Sequence, residues 1–244
     1  MPLTTHHLRL GSGLVMMGYV SLHLFNHMLG IVSLPLAEAG LRLAMRLWQS
    51  LPGTVLLYGA FTVHFALALH TIYQRRHWQL PAKEWLRLWS GFSLPLLLIG
   101  HAVNTRVATS FYGFHPSYEK IIAGLISGGS QGWQIALLAP GWVHGCMGLW
   151  ITMGRRVQSR RVRIAWATFF VAVPLLSAAG FLRMARTIEP HEALLVAHAA
   201  EARPRAASLI EWRHVLLGSY LLLIAGSFVA GRWRDATTRD APVP

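Results

Sequence analysis

Six stretches of the chain run for about 20 residues each with almost no charge, at residues 12–33, 53–73, 90–110, 132–153, 164–184 and 208–230. A helical run of that length rises far enough to cross a bilayer core about 30 Å thick. The expected fold is therefore all-α: a polytopic membrane protein built as a six-transmembrane-helix bundle, with residues 1–244 forming a single integral membrane domain. Composition agrees, since 54% of the residues are hydrophobic and 13% are charged, against about a quarter charged in soluble domains. A soluble enzyme and a disordered chain are excluded. The lone cysteine, Cys146, excludes a disulfide scaffold, a Cys-rich iron–sulfur site and a c-type haem attachment. The first ten residues lack a basic segment followed by a cleavage site, so no removable signal peptide is expected. Pro95 and Pro174 fall inside the third and fifth spans, where neighbouring helices can satisfy the freed carbonyls.

The formal charge of +13 first suggests a nucleic-acid partner, but in a membrane protein it records topology. With the N-terminus placed inside, the inner segments hold 13 Lys and Arg against three acids, and the outer segments nine against six. That bias, net +10 inside and +3 outside, predicts both termini in the cytoplasm and no nucleic-acid partner. The strongest single contribution is the short loop 154–163, with five arginines. Residues 36–49 carry helical apolar spacing with Arg42, Arg46 and Trp48, which predicts a helix lying along the interface. Residues 184–211 are polar and mixed in charge, and are expected to cap the outer side. Trp78, Trp85, Trp89, Trp133, Trp212 and Trp233 stand near span ends, as interfacial anchors do.

Thirteen histidines occur, and several lie within the apolar stretches: His23 and His27 in the first, His64 and His70 in the second, His101 in the third and His144 in the fourth. An ionisable group inside a membrane is costly and marks a functional site by default. One such histidine can be explained by a hydrogen bond to a carbonyl; a set spread over four successive helices is harder to explain that way. The residue type points to haem held by two axial imidazoles, because each iron takes one ligand from each side of its plane and bundles build such sites from facing helices. A proton relay would use carboxylates, and the four histidine-bearing spans contain none, Glu211 near one end of the sixth being the one acid in any span. Four helices with one ligand each would serve two haems, all within the first four helices.

Depth along the helices assigns one pair. His64 lies 11 residues before Arg75, and His144 lies 11 before Arg155, so both sit about 16 Å from the inner basic edge. His101 lies deeper, and its partner comes from the first span. Measured from inside the choice is His23, measured from outside His27, and spacing alone leaves both open. Gly30, Gly100, Gly145 and Gly148 stand near these histidines and could leave room for a flat macrocycle, or equally serve helix packing. His70 lies about 120° round the helix from His64 and is expected at the interface, or beside a propionate or a quinone. Arg87, Arg106 and Arg183 are basic groups near span ends. Each could meet a propionate, though singly each reads as an ordinary flanking charge.

The segments YVSLHLFNHMLGIVSL (residues 19–34), LYGAFTVHFALAL (57–69), LPLLLIGHAVNTR (94–106) and WVHGCMGLW (142–150) resemble the six-helix membrane anchor of certain bacterial class III adenylate cyclases. That anchor is similar to the dihaem cytochrome b subunits of succinate dehydrogenases and fumarate reductases. The resemblance covers about residues 10–186, and Asn26-His27-Met28-Leu29-Gly30 with His144-Gly145-Cys146 is its most specific part. It implies two b haems, electron exchange with membrane quinone, and residence in the bacterial plasma membrane. Carried over, the alternating-helix pairing gives His64 with His144 and His27 with His101, leaving His23 in reserve. In those cyclases soluble catalytic sequence follows the sixth helix, whereas here residues 231–244 alone remain. No cyclase activity is therefore expected of this chain, which reads as a stand-alone cytochrome, a truncated anchor, or a subunit docking a soluble redox or cyclase partner on its basic inner face. The other reading is a haem-free structural anchor or assembly subunit whose histidines make interhelical hydrogen bonds.

Overall fold

The computed structural model describes residues 4–153 and 159–239. Among them the order is α1 (Thr5–Leu29), α2 (Leu34–Trp48), α3 (Leu51–Gln74), α4 (Ala82–Ala102), a π-helical turn (Val103–Val107), α5 (Ala108–Tyr112), α6 (Tyr118–Ser127), α7 (Gln131–Met153), α8 (Arg160–Ile188) and α9 (Glu192–Arg239). The described residues include no strand. Six helices are long and apolar enough to cross a membrane: α1, α3, α4 continued through the π turn to Tyr112, α7, α8 and α9. The all-helical, six-span expectation is met. Of the arginine-rich loop, residues 154–158, with Arg155 and Arg156, lie outside the described residues, as does Asp240.

Local chemistry sets several boundaries. Thr4 caps α1, its hydroxyl accepting from the His7 backbone N–H while the His7 side chain reaches back to the Thr4 N–H, a reciprocal capping box. The tripeptide Ser-Leu-Pro occurs three times: at Ser33 and Ser50 it starts a helix, while Ser93-Leu94-Pro95 lies inside α4. Ser33 caps α2 and Ser50 caps α3, each with proline in the first turn, where a missing N–H costs nothing. Gly113 ends α5 in the left-handed region (φ 64°), a conformation that suits glycine.

α2 is the helix expected along the interface, and Ala37 on it is fully buried against the rest of the protein while Leu43 and Leu47 stay exposed. The structure adds an element absent from the sequence reading. The short helix α6 is capped by Ser117 and contributes Tyr118, Ile122 and Ala123 to a core shared with Ala37, Phe181, Met184 and Ile188. Residues 184–211, expected as a cap, are helical: α8 runs on to Ile188 and α9 begins at Glu192. This part of α9 packs on α6. Lys120 Nζ donates to Glu201 at 2.9 Å, and His198 Nε2 lies 3.3 Å from Glu119. The Lys120 ammonium holds the Glu201 carboxyl below its ordinary value, and burial raises the Tyr118 phenol above its own.

α1 lies against α3 and α8, α4 against α7, and α3 against α9. Close crossings fall at glycines. A Cβ on Gly180 would collide with the His27 carbonyl, and one on Gly30 would come within 2.8 Å of the Gly180 carbonyl, so α1 and α8 meet backbone to backbone at this level. Small residues allow such approach in membrane bundles, where dispersion replaces the hydrophobic drive between helices. Arg9 donates to Thr71 at 2.9 Å and Arg234 donates to Gln74 at 3.2 Å, which places the first turns of α1 and the last turns of α9 at one end of the bundle. Elsewhere the outward surface is apolar, with Leu175, Leu222 and Val229 all more than 60% exposed, as contact with lipid tails requires.

Candidate functional site

The histidines gather into two sets at different depths. Nearer the end that holds Arg9 and Arg234, His64 of α3 and His144 of α7 face each other with ring centres 6.2 Å apart and planes at 85°. Each has one nitrogen committed. His144 Nδ1 lies 3.1 Å from the backbone carbonyl of Arg87, which can only accept, so the ring hydrogen sits on Nδ1. His64 Nδ1 lies 3.2 Å from Ser12 Oγ, and that hydroxyl spends its own hydrogen on the Leu8 carbonyl at 2.6 Å. Ser12 therefore accepts from His64. Both imidazoles are left with Nε2 as the lone-pair nitrogen, the tautomer in which a histidine ligates a metal while its other nitrogen is held by an outer partner.

Two glycines adjoin this pair. A Cβ on Gly91 would come 2.8 Å from His144 Cε1, and one on Gly13 would come 3.5 Å from His64 Cε1. Neither was singled out from sequence. Of the four glycines that were, Gly30 packs on Met184 and Gly180, Gly145 on Met17, Gly100 nears Arg213, and Gly148 has open space. Those positions serve helix contact, or nothing across the bundle; the ones that face an imidazole are Gly13 and Gly91.

The second set lies ten and fourteen residues beyond Gly13 on α1, about 15–20 Å further along its axis. His23 is in ring contact with both His27 (centres 4.6 Å apart) and His101 (5.8 Å). His27 Nε2 lies 3.2 Å from His23 Nε2, while His27 Nδ1 is buried without a hydrogen-bond partner. The ring next to His101 is thus that of His23, with His27 joined to it. His101 Nδ1 meets the Gln134 side-chain amide of α7, 3.0 Å from Nε2 and 3.2 Å from Oε1. The π turn begins two residues after His101; such insertions are rare and recur at functional positions. His70 stands apart, 3.4 Å from Gln74 on the outer surface of α3.

A metal–imidazole bond of about 2 Å, plus about 1.1 Å from nitrogen to ring centre, separates two imidazoles on opposite sides of one ion by about 6 Å. The 6.2 Å separation of His64 and His144 is close to that value and their free Nε2 atoms are suitable donors; His23 and His101 are 5.8 Å apart, with His23 Nε2 engaged by His27 Nε2 at 3.2 Å. The donor set of the first pair, two imidazoles with free Nε2 atoms, suits a haem iron, whereas the second set as it stands is joined by its own hydrogen bonds. Among the described residues no group of three or more His, Cys, Asp or Glu is placed to hold a metal ion, so the histidines do not form the larger clusters that bind zinc or a di-metal centre.

Sequence reasoning missed Ser12 and Gln134. Both are polar residues inside apolar helices, where polar groups are conspicuous. Asn26, part of the most specific segment of the resemblance, has a packing role: its Nδ2 donates to Tyr118 Oη at 2.8 Å and lies 3.4 Å from the Ala37 carbonyl. It ties α1 to α6 and α2. Arg106 donates to Thr54 at 2.9 Å and covers the Tyr58 ring. Comparison of the chain with family models, curated proteins and solved structures returned no match.

Proposed function

We propose that this protein is a dihaem b-type membrane cytochrome that exchanges electrons with the quinone pool, as an electron-transfer subunit or a redox-sensing anchor. The observation that carries the reading is the His64–His144 pair, two imidazoles 6.2 Å apart with both Nδ1 atoms committed elsewhere. His64 and His144 would hold one haem. The other would lie between α1 and α4, held by His101 with His27, the partner that the family resemblance favours, or with His23, the ring in contact. Bound haem supplies one-electron carriage. The chain's own part is to fix the imidazole tautomers through Ser12 and the Arg87 carbonyl, to hold the rings on packed helices, and to keep both sets apart from water within the bundle. No catalytic reaction is assigned to the chain alone.

The membrane is the bacterial plasma membrane, with both termini and the arginine-rich loop on the cytoplasmic side, where the basic face would receive a soluble redox or cyclase partner. The testing measurement is a reduced-minus-oxidised spectrum of the purified protein. The reading requires a b-type signal at about two haems per chain, and fails if haem-replete cells yield none. A haem-free anchor is the second reading, favoured by the His101–Gln134 bond, which satisfies His101 across α4 and α7 without any metal. In that case His144→Ala lowers thermal stability with no spectrum to lose.

A further inference from the structure

A groove of about 410 Å³ opens outward between α3 and α9, away from both histidine sets, with Leu69, His70, Tyr73, Leu222, Gly226 and Ala230 among its lining residues. Its walls follow from helical spacing: 69, 70 and 73 share one face of α3, and 222, 226 and 230 one face of α9. The floor is low because Gly226 has no side chain, and a Cβ there would meet nothing within 4 Å. At the end holding Arg9 and Arg234 the helices close together. A Cβ on Gly231 would lie 2.6 Å from the Tyr73 carbonyl, and the Arg234 guanidinium covers the Tyr73 ring at 4.6 Å.

That end is strongly basic. Arg75 and Arg76 follow Tyr73 by two and three residues, and Arg232 and Arg234 follow Ala230 by two and four, with Asp235 as the one acid in these two segments; the Arg75 guanidinium lies over the Trp78 ring. Asp235 is shared, accepting from Arg234 at 2.6 Å and lying 3.8 Å from Arg76. One carboxylate against four guanidiniums leaves a net charge of about +3 beside an apolar channel facing the bilayer. An occupant matching both features has a hydrocarbon tail and an anionic head. A quinone would leave the charge unanswered, and a zwitterionic lipid brings a cation of its own.

We infer that the α3–α9 groove is a binding site for an anionic phospholipid, one acyl chain lying over Gly226 and the phosphate meeting the arginines around Tyr73. The site does not depend on haem. It is tested by native mass spectrometry of the full chain in mild detergent, titrated with phosphatidylglycerol or phosphatidylcholine of equal chain length. Phosphatidylglycerol is expected to bind at least tenfold more tightly. Gly226→Leu, which fills the floor in open space, removes that preference with the melting temperature unchanged. The double variant Arg76→Gln/Arg232→Gln weakens phosphatidylglycerol binding about fivefold per charge removed, while phosphatidylcholine is unaffected. Equal affinity for the two lipids in the unaltered protein overturns the assignment. So does a preference that survives Gly226→Leu, or displacement of phosphatidylglycerol by an equimolar short-chain quinone.

Discussion

The backbone carbonyl of Arg87 accepts the Nδ1 hydrogen of His144 at 3.1 Å. A main-chain atom of α4 thereby dictates which nitrogen of an α7 side chain carries the proton, and leaves Nε2 bare on the ring whose centre is 6.2 Å from that of His64. Because the acceptor is backbone, no side-chain substitution at residue 87 removes it. The opposite ring depends on a side chain, which gives an asymmetry that mutation can read.

Ser12→Ala deletes the acceptor of His64 Nδ1 and frees that ring to turn. Loss of an outer partner weakens metal binding about 10–100-fold without abolishing it. The expected outcome is a haem at this site that is lost on dilution or on competition with an apo-acceptor protein, whereas Arg87→Gln leaves its retention unchanged. Pyridine haemochrome titration measures both.

Gly91→Val places a branched side chain where a single Cβ already comes within 2.8 Å of His144. The imidazole must move, so about half of the b-type absorbance should disappear while the deeper centre keeps its spectrum. Gly11→Ala on α1, where an added Cβ meets nothing within 4 Å, serves as the control and leaves the spectrum whole.

Tyr118→Phe removes the oxygen that accepts from Asn26 at 2.8 Å. Asn26 is buried, so its amide loses its better partner where water cannot replace it, at a cost of about 1–3 kcal/mol. The melting temperature in detergent should fall by several degrees with helix content preserved. An unchanged melting temperature would remove this bond from the account of how α6 is held.

The Lys120–Glu201 pair sets a pH dependence outside the apolar spans. Lys120 holds the Glu201 carboxyl below its ordinary value. A depressed carboxyl contributes stability that is fully present above the unfolded value and lost as pH falls through the folded one. Both side chains are substantially exposed, so the contribution stays below about 1 kcal/mol. Glu201→Gln should therefore melt slightly below the unaltered protein at pH 7, by no more than about 3 °C. The gap should close in strongly acidic buffer, where Glu201 is protonated; calorimetry at both ends of that range checks it.

The helices were legible in the sequence because long uncharged runs have one stable form in hydrocarbon, whereas Ser-Leu-Pro by itself does not mark a helix start, since it opens α2 and α3 but lies inside α4 at Ser93-Leu94-Pro95. α6 was not. Its ten residues are too short for a span, and they fold against Ala37 and Met184, which are far away in the chain. The histidine set was legible by residue type, and depth counting brought His64 and His144 to one level, where the structure has them in ring contact. Depth counting could not separate His23 from His27, because positions four apart share one helix face, and the fold brings the His23 ring against His101.

By itself, then, the sequence determined that this chain is a bundle of six apolar helices with an unusual load of imidazoles in the first four. Hydropathy and residue type are properties of each segment alone, and no neighbour is needed to read them. Only the tertiary structure decided which imidazoles meet, that Ser12 and a carbonyl of α4 settle their tautomers, and that Gly13 and Gly91 are the glycines facing those rings. Those relationships depend on how each helix is rotated about its axis. Rotation is set by close packing such as that of Gly30 on Gly180, and a contact between residues 150 positions apart leaves no mark on either segment alone.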